Sequence, residues 1–171
     1  QQGRAFGDIE RRTQADIVAA HIQAQRQFAR GGVRDELVKQ VAGWQRHLVD
    51  FDADGVSDLF LYDPTTGVWF NCQSTPSGFT YTQGGWSADW ELYRMQLNAD
   101  LVSDFFLINR STGRWFWALG DGSGGFTYPF TDAWYSGWQF SPGDFSGDGL
   151  DDLLLHDAET GVYFIATTGA S

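Results

Sequence analysis

Trp44-Gln-Arg-His-Leu-Val-Asp50-Phe-Asp52-Ala-Asp54-Gly55-Val-Ser-Asp58-Leu-Phe-Leu-Tyr-Asp63-Pro-Thr-Thr-Gly67-Val-Trp69-Phe70 is the stretch on which the fold turns. Its acidic loop places carboxylates at positions 1, 3, 5 and 9, as Asp50, Asp52, Asp54 and Asp58. That much negative charge in one tight bend repels itself unless a cation sits among the oxygens. A donor set of oxygens alone, with no His or Cys, suits Ca²⁺, which takes roughly six to eight oxygens from carboxylates, carbonyls and waters. Gly55 at position 6 permits the sharp turn that would bring the backbone carbonyl of Val56 inward. An EF-hand loop opens in the same way but closes with a bidentate Glu at its twelfth position. Here that position is Leu61, inside an apolar strand, and the EF-hand reading fails.

The stretch recurs twice. The second copy runs from Trp90 through Asn98-Ala-Asp100-Leu-Val-Ser-Asp104 and Asn109-Arg-Ser-Thr-Gly113-Arg-Trp115-Phe116. The third runs from Trp138 through Asp144-Phe-Ser146-Gly-Asp148-Gly149-Leu150-Asp-Asp152 and Asp157-Ala-Glu-Thr-Gly161-Val-Tyr163-Phe164. Trp44, Trp90 and Trp138 stand 46 and 48 residues apart, a repeat of about 47. The third loop keeps donors at Asp144, Ser146, Asp148 and Asp152, with Leu150 as the carbonyl position, so it is expected to hold Ca²⁺ with less charge. The second loop offers Gln96, Asn98, Asp100 and Asp104, and Leu101 takes the place of the glycine; it is expected to bind weakly or stay empty.

Each unit reads as four short strands. The first opens at the repeated Trp, and the second is the apolar run after the last loop Asp. An Asx-to-Gly turn follows (Asp63 to Gly67, Asn109 to Gly113, Asp157 to Gly161), in which the side chain can satisfy turn N–H groups while glycine takes positive φ. The third strand carries Trp69, Trp115 or Tyr163, and the fourth is the Gly-Phe-Thr-Tyr segment at Gly78–Tyr81 and Gly125–Tyr128. Four antiparallel strands at this period predict β-propeller-type blades. The expected organisation is therefore three blades, 44–89, 90–137 and a truncated 138–171, following a helical segment at 1–43. Three blades do not close a ring, which takes at least about four. The sequence thus predicts either a homo-oligomer or a portion of a longer propeller.

Composition supports the division. Residues 1–43 carry seven bases and five acids, whereas the remainder carries four bases and 17 acids together with every Trp and Tyr. In the first segment Phe6, Ile9, Thr13, Ile17, Ala20, Ala24 and Phe28 recur at helical steps, and Val33, Leu37, Val38 and Val41 suggest a second short helix. A net charge of −11 argues against nucleic acid as a partner, since phosphate binding needs surplus Lys and Arg. No apolar run approaches the roughly 18 residues of a membrane span. Cys72 is the only cysteine, so no intrachain disulfide or thiolate cluster can form.

The Asp-Phe-Asp-x-Asp-Gly-x-x-Asp-Leu loop, followed by a Thr-Gly turn and an aromatic strand, resembles the FG-GAP/VCBS repeat. That family builds the calcium-bearing propellers of integrin α-chains, of several lectins and of modules appended to secreted bacterial enzymes. The resemblance covers residues 44–171 and implies a bladed fold, Ca²⁺ in the inter-strand loops and a secreted, extracellular setting.

The remaining signal is aromatic. Trp86 and Trp134 fall between units, and Trp69 and Trp115 align on the third strand. Indole faces beside Asp, Asn and Ser match the needs of a sugar, whose C–H face stacks while its hydroxyls hydrogen-bond. These four are the ligand-contact candidates. Catalytic residues are not evident: His21, His47 and His156 have no repeated equivalents, and no nucleophile–base pair emerges from spacing. The expectation is a calcium-stabilised extracellular module that binds glycan or protein in a lectin-like or adhesive role. The alternative is a structural or assembly portion of a larger secreted protein or enzyme.

Overall fold

The computed structural model describes residues 43–169, all in strands, turns and loops. The helical segment expected over residues 1–43 falls, apart from Gly43, outside the described residues. Among those residues no helix is long and apolar enough to cross a membrane.

Among the described residues twelve strands form three antiparallel sheets in chain order. The first sheet is β1 (Gln45–Val49), β2 (Asp58–Tyr62), β3 (Val68–Thr75) and β4 (Gly78–Gly85), each paired with the next. The second holds β5 (Trp90–Met95), β6 (Asp104–Asn109), β7 (Arg114–Gly120), β8 (Phe126–Thr127) and β9 (Thr131–Ala133). The third is β10 (Gln139–Gly143), β11 (Asp152–His156) and β12 (Tyr163–Ala166).

The first sheet has the four strands expected, but the second has five. Its outer strand is broken: β8 pairs with the end of β7, and β9 pairs with its beginning, Thr131 opposite Phe116. Pro129 lies in the gap and has no N–H to give to a ladder, so the chain cannot run through as one strand. In the first sheet no proline interrupts, and β4 runs unbroken beside β3 from Val68↔Gly85 to Thr75↔Gly78. The third sheet ends at β12, and no fourth strand covers that edge among the described residues.

The Asx-Gly hairpins form as their chemistry dictates. Gly67, Gly113 and Gly161 donate to the carbonyls of Asp63, Asn109 and Asp157, each at 2.8 Å. The Asx Oδ1 accepts the next N–H groups, such as Thr65 at 2.9 Å and Glu159 at 2.9 Å.

Apolar side chains collect between sheets rather than within them. In β6 all four of Phe105, Phe106, Leu107 and Ile108 are buried, because the strand is covered on both faces. Phe105 and Leu107 join Val49, Phe51, Phe60, Tyr62 and Trp69 of the first sheet. Phe106 and Ile108, on the opposite face, join Phe140, Leu153 and Leu155 of the third. Period-two alternation thus makes the middle sheet the shared wall of two cores.

Candidate metal centre

The acidic loop before the second strand of each sheet is built around its last aspartate. Asp58, Asp104 and Asp152 are buried, and each accepts backbone N–H groups from residues seven before and sixteen after it. Asp58 takes Phe51 at 2.9 Å and Ser74 at 2.7 Å. Asp104 takes Leu97 at 2.9 Å and Gly120 at 2.9 Å. Asp152 takes Phe145 at 3.0 Å, Ser146 at 2.8 Å and Thr168 at 2.9 Å. Each carboxylate clasps the entry of its loop to the end of the third strand. The sequence reads these residues only as metal ligands; their first employment is structural.

Burial and hydrogen bonding oppose one another at these clasps. Burial pushes Asp104 up to about 6, against the N–H groups of Leu97 and Gly120. Burial also acts on Asp152, but the bonds from Thr168, Ser146 and Phe145 outweigh it and hold its carboxyl below the usual range.

The first loop alone among the described residues gathers three acids. One carboxylate oxygen each from Asp50, Asp52 and Asp58 lies within 4.8 Å of the others. Asp50 Oδ2 accepts the Gly55 N–H at 2.9 Å, while its Oδ1 is buried with no hydrogen-bond partner. A buried carboxylate oxygen left unpaired is costly, and a cation is its natural counterpart. Asp58 keeps lone pairs to spare, since each carboxylate oxygen can accept twice. Asp52 is displaced upward by desolvation and by the like charges of Asp54, Asp58 and Asp50, against an N–H bond from Asp54. The residues present therefore fit a hard dication. Asp54 stands outside the trio and turns its Oδ1 to the Val56 N–H at 2.7 Å.

The other two loops do not assemble a trio. In the third, Asp144 folds back on Gly147 at 2.6 Å and Gly149 at 3.0 Å, and Asp148 on Leu150 at 2.9 Å; Ser146 bonds Asp152 through its backbone. In the second, Asn98 accepts from Asp100 at 3.0 Å and Asp100 from Val102 at 2.9 Å. The first and third loops share positive φ at position 4, Ala53 at 57° and Gly147 at 81°, which the second loop lacks at Ala99, but all three share the turn at position 6. Position 6 has positive φ in each: 79° at Gly55, 66° at Leu101 and 89° at Gly149.

Neighbouring loops are stitched in a way the sequence reading missed. Ser103 donates its N–H to the Asp50 carbonyl at 2.7 Å and accepts the Asp50 N–H on its Oγ at 2.9 Å. Asp151 does the same to Gln96, through its N–H at 2.8 Å and its carboxylate at 2.7 Å. In both cases position 8 of one loop holds position 1 of the preceding loop. The clue in the sequence is a short polar side chain recurring at position 8 (Ser57, Ser103, Asp151).

The aromatic candidates sit between sheets. Trp69 is buried, and Trp86, Trp115 and Trp134 are half-buried. Trp69 lies 5.7 Å from Trp86 and Trp115 lies 4.7 Å from Trp134, ring centre to ring centre. Trp86 and Trp134 also donate their backbone N–H to the hairpin carbonyls of Gly67 and Gly113, each at 2.8 Å. Their rings lock the sheets together.

Comparison with known families agrees with this architecture. Residues 96–155 match the family model described as FG-GAP-like repeat. No curated protein matches the chain significantly. The matched span runs from the first position of the second loop to Leu155 in β11 and takes in both the second and the third acidic loops. Over that span the chain is similar to an FG-GAP-like repeat.

Proposed function

We propose that the chain is a calcium-stabilised, extracellular binding module of the propeller type, with glycan as the favoured ligand. The observation that carries the calcium reading is the convergence of Asp50, Asp52 and Asp58, together with a buried, unpartnered Oδ1 on Asp50. Ca²⁺ there would neutralise the cluster and tie the loop to the Asp58 clasp, adding binding free energy to folding. A second, weaker site is proposed in the third loop, where Asp144 and Asp148 would have to turn from their backbone partners. The family resemblance and an aromatic-rich surface support the glycan reading. Tests are direct: Ca²⁺ should raise the melting temperature after EDTA treatment, and a glycan array in Ca²⁺ should show binding. An unmoved melting temperature or a blank array refutes the respective half.

A structural or assembly role is favoured by one feature. The β12 edge is open among the described residues, and Tyr163 and Phe164 on it are 65% and 57% exposed. An apolar edge strand of this kind invites pairing with another chain or another repeat. Light scattering gives the particle mass; a strict monomer at high concentration speaks against pairing with copies.

A further inference from the structure

The second sheet carries a cavity of 270 Å³ at its hairpin end, where the β4–β5 connection meets it. Trp90 and Phe116 form its apolar side, in edge-to-face contact at 4.7 Å, and Arg114, Asn109, Thr112 and Thr131 supply its polar groups. Trp90 Nε1 is engaged with Ser87 Oγ at 2.8 Å, so that wall is fixed in orientation. Asn109 Oδ1 accepts from Ser111 and Thr112 at 3.1 Å, which turns its Nδ2 into the donor on offer. Thr131 Oγ1 donates to the Trp115 carbonyl at 2.8 Å and retains lone pairs to accept. The Arg114 guanidinium is in no ion pair among the described residues.

Comparison of the three repeats sharpens this. Where the second has Asn109 and Arg114, the first has Asp63 and Val68 and the third has Asp157 and Val162. Two substitutions in one pocket remove a negative charge and add a positive one, in a chain of net charge −11. Neither is required by the hairpin, because Asp serves the turn equally well in the other two repeats. We infer that the second repeat has a binding site for an acidic saccharide, with a sugar ring against Phe116 and its carboxylate on Arg114. At about 270 Å³ the cavity lies just below the usual range of ligand pockets, roughly 300–1,000 Å³, and suits one ring. Arg matches a carboxylate bidentately, while Asn109 and Thr131 offer a donor and an acceptor for hydroxyls. The surrounding negative field disfavours a polyanion and leaves a ligand with a single acidic group.

This inference rests on the glycan reading above and narrows it. The test is calorimetric titration of the full chain in Ca²⁺ with methyl glucuronide and with methyl glucoside. Arg114→Val, which installs the residue of the other two repeats, and Asn109→Asp are titrated in parallel. The expected result is glucuronide binding at least about tenfold tighter than glucoside, lost in Arg114→Val and weakened in Asn109→Asp. Equal binding of both sugars, no glucuronide binding, or glucuronide binding unchanged in Arg114→Val overturns the inference. A protein that binds neutral glycans on an array but ignores glucuronide leaves the broader reading standing. One that binds no glycan removes both.

Discussion

Asp50 and Asp58 share one loop and have opposite circumstances. Asp58 accepts one backbone N–H on each of its oxygens, whereas Asp50 has a buried oxygen without a partner in a cluster of three carboxylates. Asp58→Asn should therefore destabilise the protein with or without metal, by about 2 kcal/mol, because an amide can accept but its NH₂ must face a backbone N–H. Chemical denaturation in EDTA checks this. Asp50→Asn should leave stability in EDTA within about 0.5 kcal/mol or raise it, since it removes one of three like charges. His47 offers an independent check on the core. Burial beside Phe105 lowers its pKa to about 4, and its Nε2 has no partner. A depressed imidazole contributes stability above its ordinary value of 6.5, and that contribution is lost as pH falls toward 4. NMR titration should find His47 neutral down to about pH 4; a midpoint near 6.5 would contradict its burial. Asp104, raised to about 6, works in the other direction over the same range, so the assignment needs residue resolution. At this scale the sequence displayed the acids but not their division of labour. A carboxylate that clasps backbone and one that awaits a cation are the same letter.

At the scale of the element, backbone conformation governs the turns and loops. Leu101 holds φ of 66° at the loop position where the other repeats have glycine, and its side chain is 71% exposed. Leu101→Gly should stabilise by about 1 kcal/mol, having no packing to lose; a loss of stability in thermal melts would show that the side chain is needed. Gly67 is the converse case. Its φ is 79°, and a Cβ there would overlap the Trp86 carbonyl oxygen, whereas Gly55, also at 79°, faces open space. Gly67→Ala should cost more than Gly55→Ala by about 2 kcal/mol, the second bearing the conformational strain alone. Acidic loops, hairpins and second strands were legible because each depends on local chemistry at fixed offsets. The split outer strand of the second sheet was masked by the shared Gly-Phe-Thr-Tyr, although Pro129 marks the break. The meeting of Ser103 with Asp50 was less accessible, since it joins residues 53 apart.

For the whole molecule, the repeat makes the junctions alike without making them identical. Gln45 Nε2 donates to the Trp90 carbonyl at 3.1 Å across the first junction. At the second, Glu91 occupies the equivalent place and instead holds Arg110, which donates to the Trp138 carbonyl and covers the Phe140 ring. The two cores are wedges between sheets, so removing a junction ring should loosen two sheets at once. Trp86→Ala should cost about 3 kcal/mol in thermal or chemical unfolding, from lost area and ring contacts with Phe60, Tyr62 and Trp69. The order of three sheets follows from the period alone, as does their antiparallel pairing. The outer edge at β12, unpaired among the described residues, is not something the periodicity encodes.

The proposed dication would complete the Asp50, Asp52 and Asp58 cluster. Calcium titration calorimetry on metal-stripped protein, wild type beside Asp50→Asn, addresses it most directly. The expected result is a tight Ca²⁺ site in the wild type that disappears in Asp50→Asn. Absence of that site, or a site unaffected by the substitution, would contradict it.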